Sequence, residues 1–202
     1  MWFFLNRCVA LLALIAALPF LMILALAIYI EDKGPFLFSQ ERLGRDGNRF
    51  RCLKFRTMFV GADELLMKWK EANHPNWKRY VESNFKLQDD PRVTRIGRLL
   101  RRTSLDEVPQ LLNVVLGEMT LVGPRPLLER EISDYGNVRF ECYKRMIPGL
   151  TGLWQVSGRS DTTFERRAQL DCEYFEKRSP LFDIALIIKT VKVLTRRGGG
   201  AY

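Results

Sequence analysis

The chain has 202 residues, a formal net charge of +9 and a hydrophobic content of 47%. This length favours one domain with room for a small appendage. A basic surface suits polyanions, which include nucleic acid, anionic lipid headgroups and phosphorylated small substrates. The four cysteines form no C-x-x-C pair, which argues against a zinc site and favours reduced thiols in a domain that faces the cytosol.

The first element is an apolar run, Cys8–Ile30, that no charged residue interrupts. As a straight helix it is about 34 Å long, roughly the thickness of the hydrocarbon core of a bilayer. Three interpretations compete: a cleaved signal peptide, a transmembrane helix, and a bent helix that enters and leaves on the same face. The run is long for a signal peptide, and only Arg7 precedes it as a basic residue.

Pro19 lies near the middle of the apolar run, where it removes one backbone hydrogen bond and favours a kink. Several basic residues follow the run closely, and the positive-inside rule therefore places the rest of the chain in the cytoplasm. The pattern alone does not decide between a spanning helix and a re-entrant one.

Residues 36–58 predict a β-hairpin with a turn at Gly44–Asn48. Residues 61–87 predict one or two polar helices interrupted by Pro75, and His74 beside it is typical of a solvated surface residue. Thr94 is a candidate cap for a helix that ends near Arg102. This helix is basic and amphipathic, so it either lies on an anionic membrane surface or packs on a core with a solvated basic face.

The second half of the chain alternates helix signals with loops. Residues 111–116 predict a helix that stops at Gly117, and 119–122 predict a short strand. Residues 147–160 are rich in glycine and predict a loop. Residues 163–178 predict a charged amphipathic helix, and Ser179 is expected to cap a final apolar helix, which is buried or lies in the membrane interface, before a mobile tail.

Asp106 and Glu107 are adjacent acids between two arginines and a proline. One interpretation is structural, because Ser104 and Glu107 match the S-x-x-E capping box. Pro109 complicates it, since its missing N–H would break a helix that began at Ser104 and fits better if Asp106 is the cap. An ionised carboxylate at a helix start is also a candidate nucleophile toward phosphate, and its neighbour a candidate ligand for a divalent cation.

Several basic residues fit a phosphorylated substrate. Lys54 and Arg56 alternate on the predicted strand and share one face. Arg125 lies between two prolines that stiffen its backbone, and Arg159 follows a glycine. Guanidinium groups on rigid loops suit bidentate contacts to phosphate, although each of these residues alone is more typical of an ordinary protein surface.

Together these segments resemble the bacterial sugar transferase family, the monotopic polyisoprenyl-phosphate hexose-1-phosphate transferases, also called phosphoglycosyl transferases. The resemblance runs from about Leu5 to the C-terminus. The motifs that show the resemblance are KFRTM at 54–58, the long block DPRVTRIGRLLRRTSLDEVPQLLNVVLGEMTLVGPRP at 90–126, PGLTGLWQVSGR at 148–159, and a final D-x₁₁-D.

The resemblance implies transfer of hexose-1-phosphate from a UDP-sugar to undecaprenyl phosphate, with release of UMP, as the first step of exopolysaccharide, capsule or O-antigen assembly. The implied mechanism is ping-pong, with Asp106 as the nucleophile and Glu107 as the ligand of Mg²⁺. The other implied site residues are Lys54 and Arg101 for phosphates, Arg159 and Asp183 around the active site, and Pro124, Arg125 and Pro126 for the nucleotide or the shape of the site.

The resemblance also implies a small, mostly helical α/β domain with amphipathic helices in the interface and a re-entrant membrane helix kinked at Pro19. Residues 1–33 would form the membrane helix, and 34–202 the catalytic domain on the cytoplasmic face of the bacterial inner membrane. Two residues depart from the family pattern: Leu18 stands where serine is frequent, and Ala10 stands where an acid is usual.

The expected partners are the UDP-sugar, the polyprenyl phosphate and membrane lipids, with no nucleic acid. A homo-oligomer and downstream glycosyltransferases are left open. The stretch WQVSGRSD and the terminal G-x-Y resemble relatives that transfer galactose or glucose phosphate. The competing hypothesis is a membrane-tethered protein that binds polyanions or acts as a scaffold without catalysis, with binding that is sensitive to salt and indifferent to Asp106.

Overall fold

The computed structural model describes residues 1–83, 85, 87, 89–158 and 163–196. This part of the chain is mostly helical, with two small sheets beside the helices, as the predicted fold class requires. The helices are α1 Trp2–Glu31, α2 Ala62–Glu71, α3 Pro75–Glu82, α4 Arg95–Thr103, α5 Gln110–Leu116, α6 Ile132–Tyr135, α7 Asn137–Lys144, α8 Leu153–Val156, α9 Phe164–Lys177 and α10 Pro180–Arg196. The strands are β1 Leu37–Leu43, β2 Arg49–Phe55, β3 Thr120–Val122 and β4 Gly149–Thr151.

Helix α1 is continuous through Pro19 and is the one helix of the described residues that is long and apolar enough to cross a membrane. One face of α1 packs on the domain through Asn6, Ala10, Leu21 and Ile28, whereas most of its other apolar side chains are exposed. Ala10 is fully buried, so a larger acidic side chain would not fit there without rearrangement. The re-entrant bend at Pro19 stays a prediction.

Both ends of α1 form hydrogen bonds with the domain. At the N-terminal end, Trp2 Nε1 donates to Asp183 Oδ2 at 2.8 Å and Arg7 Nε donates to the carbonyl of Val115 at 2.7 Å. At the C-terminal end, the Glu31 carboxylate accepts the backbone N–H of Arg95 at 2.7 Å, at the start of α4. The helix therefore lies along the domain from one end to the other.

The predicted hairpin is confirmed as the antiparallel pair β1 and β2, joined by a 3₁₀ turn at Arg45–Gly47. The register places Gln40 opposite Cys52. Arg42 lies two residues beyond Gln40 on β1, and Lys54 lies two residues beyond Cys52 on β2, in the opposite direction along the antiparallel hairpin. Because paired residues share a face of an antiparallel ladder, these four side chains lie on the same face of the hairpin.

The polar segment after the hairpin forms α2 and α3, and the predicted interruption at Pro75 is confirmed. Pro75 is the first residue of α3, where its missing N–H costs nothing. His74 is the cap, because its Nδ1 accepts the backbone N–H of Asn76 at 3.1 Å. His74 is exposed, as the sequence indicated.

Helix α4 begins where the sequence predicted, with Thr94 Oγ1 accepting the N–H of Gly97 at 2.9 Å. Gly97 packs directly on the backbone that follows β2, since a Cβ there would lie 2.0 Å from the carbonyl oxygen of Thr57. This close approach brings Arg101, one turn farther along α4, to Thr57.

The strand predicted at 119–122 is confirmed as β3, but the loop predicted for 147–160 contains β4 and α8. Strand β4 pairs with β3 in parallel over only three residues, which is too short for a hydrophobic pattern. Glycine makes the pairing possible, because a Cβ on Gly149 would lie 2.0 Å from the backbone nitrogen of Gly123. Helices α6 and α7 were also missed by the sequence reasoning.

The last two predicted helices are confirmed as α9 and α10. Thr163 caps α9 through the N–H of Arg166 at 3.2 Å, and Ser179 Oγ accepts the N–H of Phe182 at 3.2 Å at the start of α10. Helix α10 has a buried face and an exposed apolar face. The exposed face comprises Leu181, Ile184, Ile188 and Val191. The predicted mobile tail beyond 196 lies outside the described residues.

Candidate active site

The Asp106–Glu107 dyad lies in a tight turn between two helices. Helix α4 ends at Ser104, whose φ of 58° is left-handed, and a 3₁₀ turn then covers Leu105–Glu107. Both cap interpretations are wrong: the side chain of Ser104 forms no capping bond, and Pro109 is the residue at the N-terminus of α5. The proline is the physical reason, because without an N–H it fits at a helix start and not one turn inside.

Glu107 is the ion-paired member of the dyad. Its Oε1 accepts from Lys54 Nζ at 2.6 Å and from Arg125 at 3.2 Å. Burial disfavours the charge, but Lys54 and Arg125 outweigh it and hold the pKa of Glu107 well below its usual range. Glu107 is therefore a carboxylate at any physiological pH, with its second oxygen outside these two bonds.

Asp106 is less tightly held. Lys54 Nζ lies 4.0 Å from Asp106 Oδ2, beyond hydrogen-bonding distance. Burial raises the pKa of Asp106 above its ordinary value, the charge of Glu107 adds to this, and Lys54 and Arg101 oppose it. A desolvated carboxylate between cations, not committed to a hydrogen bond with Lys54, is suited to nucleophilic attack on an anionic substrate.

Arg101 and Lys54 reach the dyad from two different elements. Arg101 lies on α4, and its Nε donates to Thr57 Oγ1 at 2.9 Å. Lys54 lies on β2, whose backbone is held by the side chain of Asn113: its Oδ1 accepts the N–H of Leu53 at 3.0 Å. Lys54 lies against both acids of the dyad, and Arg101 is near enough for its charge to act on Asp106.

The Pro124–Arg125–Pro126 segment follows β3 and places the Arg125 guanidinium against Glu107. Its backbone is held at each residue. The N–H of Gly149 donates to the carbonyl of Pro124 at 2.8 Å, Arg167 donates to that of Arg125 at 3.0 Å, and Arg42 donates to that of Pro126 at 3.2 Å. The guanidinium of Arg125 lies 6.0 Å from the centre of the Trp154 ring, within the range of a cation–π contact.

Two predicted site residues, Arg56 and Asp183, form contacts away from the dyad. Arg56 forms its ion pair with Asp32, just after α1, and not with the substrate-facing groups. Asp183 accepts hydrogen bonds from Trp2 and from the Tyr174 hydroxyl, the latter at 2.8 Å. Arg159 lies outside the described residues. Their roles with substrate stay predictions.

Sequence reasoning missed residues that shape the site from a distance. Arg42 and Arg167 hold the backbone around Arg125, and Trp154 lies beside both Arg125 and Arg167. The hairpin register was the available signal for Arg42, because it places Arg42 on the same face as Lys54. The sequence carries no local signal for Arg167, whose contact joins α9 to a distant loop.

The described residues hold no group of three or more histidine, cysteine or acidic side chains that would bind a metal by themselves. The dyad still suits Mg²⁺, which is usually bound by one or two carboxylates together with water and substrate phosphates. Both bonds to Glu107 fall on Oε1, which leaves Oε2 as a ligand.

The site is thus a carboxylate dyad among basic side chains, in a domain that lies against a long apolar helix. The family model described as bacterial sugar transferase matches residues 3–197, and the chain belongs to that family.

Three curated relatives are similar over most of this chain. The UDP-galactose-lipid carrier transferase of Erwinia amylovora is 47% identical over 90% of the chain. The exopolysaccharide production protein ExoY of Sinorhizobium fredii is 43% identical over 91% of it. The undecaprenyl-phosphate galactose phosphotransferase of Salmonella typhimurium is 43% identical over 94% of it.

The matched region is a different share of each relative. It spans 38% of the Erwinia protein and 39% of the Salmonella protein, but 80% of ExoY. The chain thus corresponds to a part of the two longer relatives and to most of the shorter one.

Proposed function

We propose that this chain transfers hexose-1-phosphate from a UDP-sugar to undecaprenyl phosphate and releases UMP, by a ping-pong mechanism with a covalent intermediate on Asp106. The observation that carries the proposal is the difference between the two acids. Glu107 is held by Lys54 and Arg125, whereas Asp106 lies 4.0 Å from Lys54 with a raised pKa. The family and the names of the relatives supply the substrate class.

In the first step, a carboxylate oxygen of Asp106 attacks the β-phosphorus of the donor. A bond forms between that oxygen and phosphorus, the bond to the bridging oxygen breaks, and UMP leaves with the electron pair. In the second step, a phosphate oxygen of undecaprenyl phosphate attacks the same phosphorus and releases the Asp106 carboxylate. Lys54 and Arg101 bind the phosphoryl oxygens and reduce the electrostatic repulsion between the Asp106 carboxylate and the substrate phosphate.

The cofactor proposed is Mg²⁺, held by Glu107 with the phosphates of the substrate. It would neutralise phosphate oxygens during transfer. Glu107 is ready for this because its pKa is depressed and no proton has to leave before binding. The Lys54 and Arg125 bonds fix the orientation of that carboxylate.

The donor proposed is UDP-galactose, with UDP-glucose as the alternative. Two of the relatives are named for galactose, and a third for exopolysaccharide production. We therefore propose that the product begins the assembly of an exopolysaccharide or related glycan.

We propose that the chain lies on the cytoplasmic face of the inner membrane, and the contacts of α1 support a re-entrant arrangement of this helix. A helix of 30 residues is about 45 Å long, more than enough to cross the hydrocarbon core. A straight crossing would put its ends on opposite sides of the membrane, yet Trp2 and Glu31 both bond to the same domain. We propose that residues 1–33 dip into one leaflet, with the exposed apolar face of α10 at the interface and residues 34–202 as the catalytic domain.

The test is UMP release in detergent or nanodiscs with Mg²⁺, across a panel of UDP-sugars, with and without undecaprenyl phosphate. We expect turnover that requires both the acceptor and Asp106, and the best donor identifies the sugar. Asp106→Asn is the variant, and the exposed Asp46→Asn is the matched control. No release from any donor by folded wild-type protein, beside a working control enzyme, would contradict the proposal. Salt-sensitive binding of polyanions, unchanged by Asp106→Asn, would then favour the non-catalytic hypothesis.

A further inference from the structure

Arg42 is a half-buried cation on the same hairpin face as Lys54, and its contacts are with neutral groups. It donates to Gln40 Oε1 at 2.7 Å and to the carbonyl of Pro126 at 3.2 Å. Among the described residues, no carboxylate lies within ion-pair distance of it. A guanidinium has five N–H donors, so these two bonds leave donors for a ligand.

The surroundings of Arg42 disfavour a positive charge. Burial and the charge of Arg125 lower the pKa of Arg42 to about 10, and Arg167 adds to the effect. Glu131 opposes it, but Glu131 is also 3.7 Å from Arg167. A neutral glutamine could donate to the Pro126 carbonyl without this cost, since a partly buried charge without an anion is expensive. The charge at this position therefore suits an anion that arrives with the substrate.

The UDP-sugar carries two phosphates, and the cations of the site lie at different positions around the two acids. Lys54 Nζ lies 4.0 Å from Asp106, so it would contact the phosphate that Asp106 attacks. Arg125 bonds to Glu107, and Arg42 bonds to the same loop at Pro126. The charge of Arg125 acts on Arg42, so the two guanidinium groups lie near each other. A diphosphate bound at Asp106 whose second phosphate extends toward the Pro126 loop would meet both of them.

We propose that Arg42 binds the α-phosphate of the UDP-sugar and stabilises UMP as the leaving group. The inference rests on the proposed function and adds a substrate-binding residue to it. As the bond to the bridging oxygen breaks, negative charge grows on the phosphate of UMP. A guanidinium placed there gains interaction energy during that step.

The experiment compares Arg42→Gln, Arg42→Lys and, as a matched control, Arg45→Gln. Arg45 lies in the turn of the same hairpin and is 60% exposed, so its loss removes one charge without touching the site. Equilibrium binding of UMP is measured by calorimetry, together with KM for the donor and for undecaprenyl phosphate. We expect Arg42→Gln to weaken UMP binding and raise donor KM about tenfold, since a charge-assisted hydrogen bond is lost. Arg42→Lys should lose less, and Arg45→Gln nothing.

Thermal melts establish that each variant is folded before binding is compared. Wild-type affinity for UMP in Arg42→Gln would overturn the inference. An equal loss of kcat in both Arg42 variants with intact UMP binding would also overturn it, because Arg42 would then only position the loop. A rise in KM for undecaprenyl phosphate alone would assign Arg42 to the acceptor instead. If wild-type protein shows no donor turnover at all, the proposed function fails first, which is a different result from an active enzyme indifferent to Arg42.

Discussion

Two ion-pair clusters in this chain both join carboxylates to cations, but they differ in how completely the charged groups are paired. Asp90 and Arg92 form a closed pair: three contacts at 2.6–3.2 Å join the guanidinium to both carboxylate oxygens, and the side chains are 4% and 3% exposed. Glu107 shares one oxygen between Lys54 and Arg125, and these side chains are 21–31% exposed. In the first cluster both carboxylate oxygens are bonded to the guanidinium. In the second, the Asp106 carboxylate forms no hydrogen bond with Lys54 and the second oxygen of Glu107 lies outside the two bonds.

The difference separates a stabilising ion pair from the proposed binding site. Arg92 also lies 5.6 Å from the Trp69 ring and 5.0 Å from the Tyr80 ring, which shield it from water. Beside Glu107 stands Asp106, a second acid with a raised pKa and no hydrogen bond to Lys54. A partly buried cluster whose charged groups are not all paired with one another stabilises the fold poorly and is suited to a charged substrate.

The largest effect is expected at Asp106. Asp106→Asn should lower the transfer rate at least about 10³-fold, because the proposed nucleophile is lost. It should not lower the melting temperature, since burial already disfavours the charged form of Asp106. UMP release and thermal unfolding, measured on the same preparation, check both parts. A variant that loses activity only in proportion to its folded fraction would contradict this assignment.

The opposite result is expected at Asp90. Asp90→Asn should lower the free energy of unfolding by about 3 kcal/mol, because Arg92 is then buried without an anion. The protein that remains folded at low temperature should keep its specific activity. Denaturant unfolding with activity per folded molecule tests the contrast, and a selective loss of turnover at Asp90 would break it.

Lys54 is expected to affect both rate and pH dependence. Lys54→Met should reduce the rate at neutral pH by about 10–100-fold, as a phosphate-binding cation is lost. Lys54 holds down the pKa of Asp106 against burial, so its removal should move the acid limb of kcat/KM to higher pH. The control is Lys177→Met, which removes an exposed lysine that pairs with Glu173. An acid limb that does not move would mean that Asp106 is not the titrating group.

The smallest effect is expected for the stability of Glu107→Gln. The folded pKa of Glu107 is depressed, so its charge stabilises the fold above the unfolded pKa of about 4.5 and this contribution is lost as pH falls below it. We expect Glu107→Gln to cost about 1 kcal/mol at pH 7, and the difference from wild type to shrink in acid. Chemical unfolding at both pH values measures it. A difference that grows in acid would refute the ion-pair assignment.

The sequence predicted most elements that have local signals. The hairpin has alternating strands and a turn at Gly44–Asn48, and α4 and α9 have threonine caps. Strand β4 was missed because it is three residues long and exists only through its pairing with β3. The cap interpretations of the dyad failed because they treated 104–107 as a helix start, whereas Ser104 turns the chain first.

The sequence predicted which residues belong to the site, but not most of the contacts between them. The family resemblance pointed to Asp106, Glu107, Lys54 and Arg125, and the structure brings these together. It gave no sign that Arg56 pairs with Asp32, because that contact depends on where α1 ends. Contacts between distant elements need the fold before they can be assigned.

The central claim is that Asp106 carries the phosphosugar, and the most direct measurement is a rapid-quench experiment with the UDP-sugar and Mg²⁺ but no acceptor. We expect a burst of UMP no larger than the enzyme concentration and a mass increase of one hexose phosphate on the peptide that contains Asp106. When undecaprenyl phosphate is added, the adduct should be lost and UMP release should continue beyond one equivalent per enzyme. A UMP burst without any covalent adduct, or UMP formed only when the acceptor is present, would contradict the account.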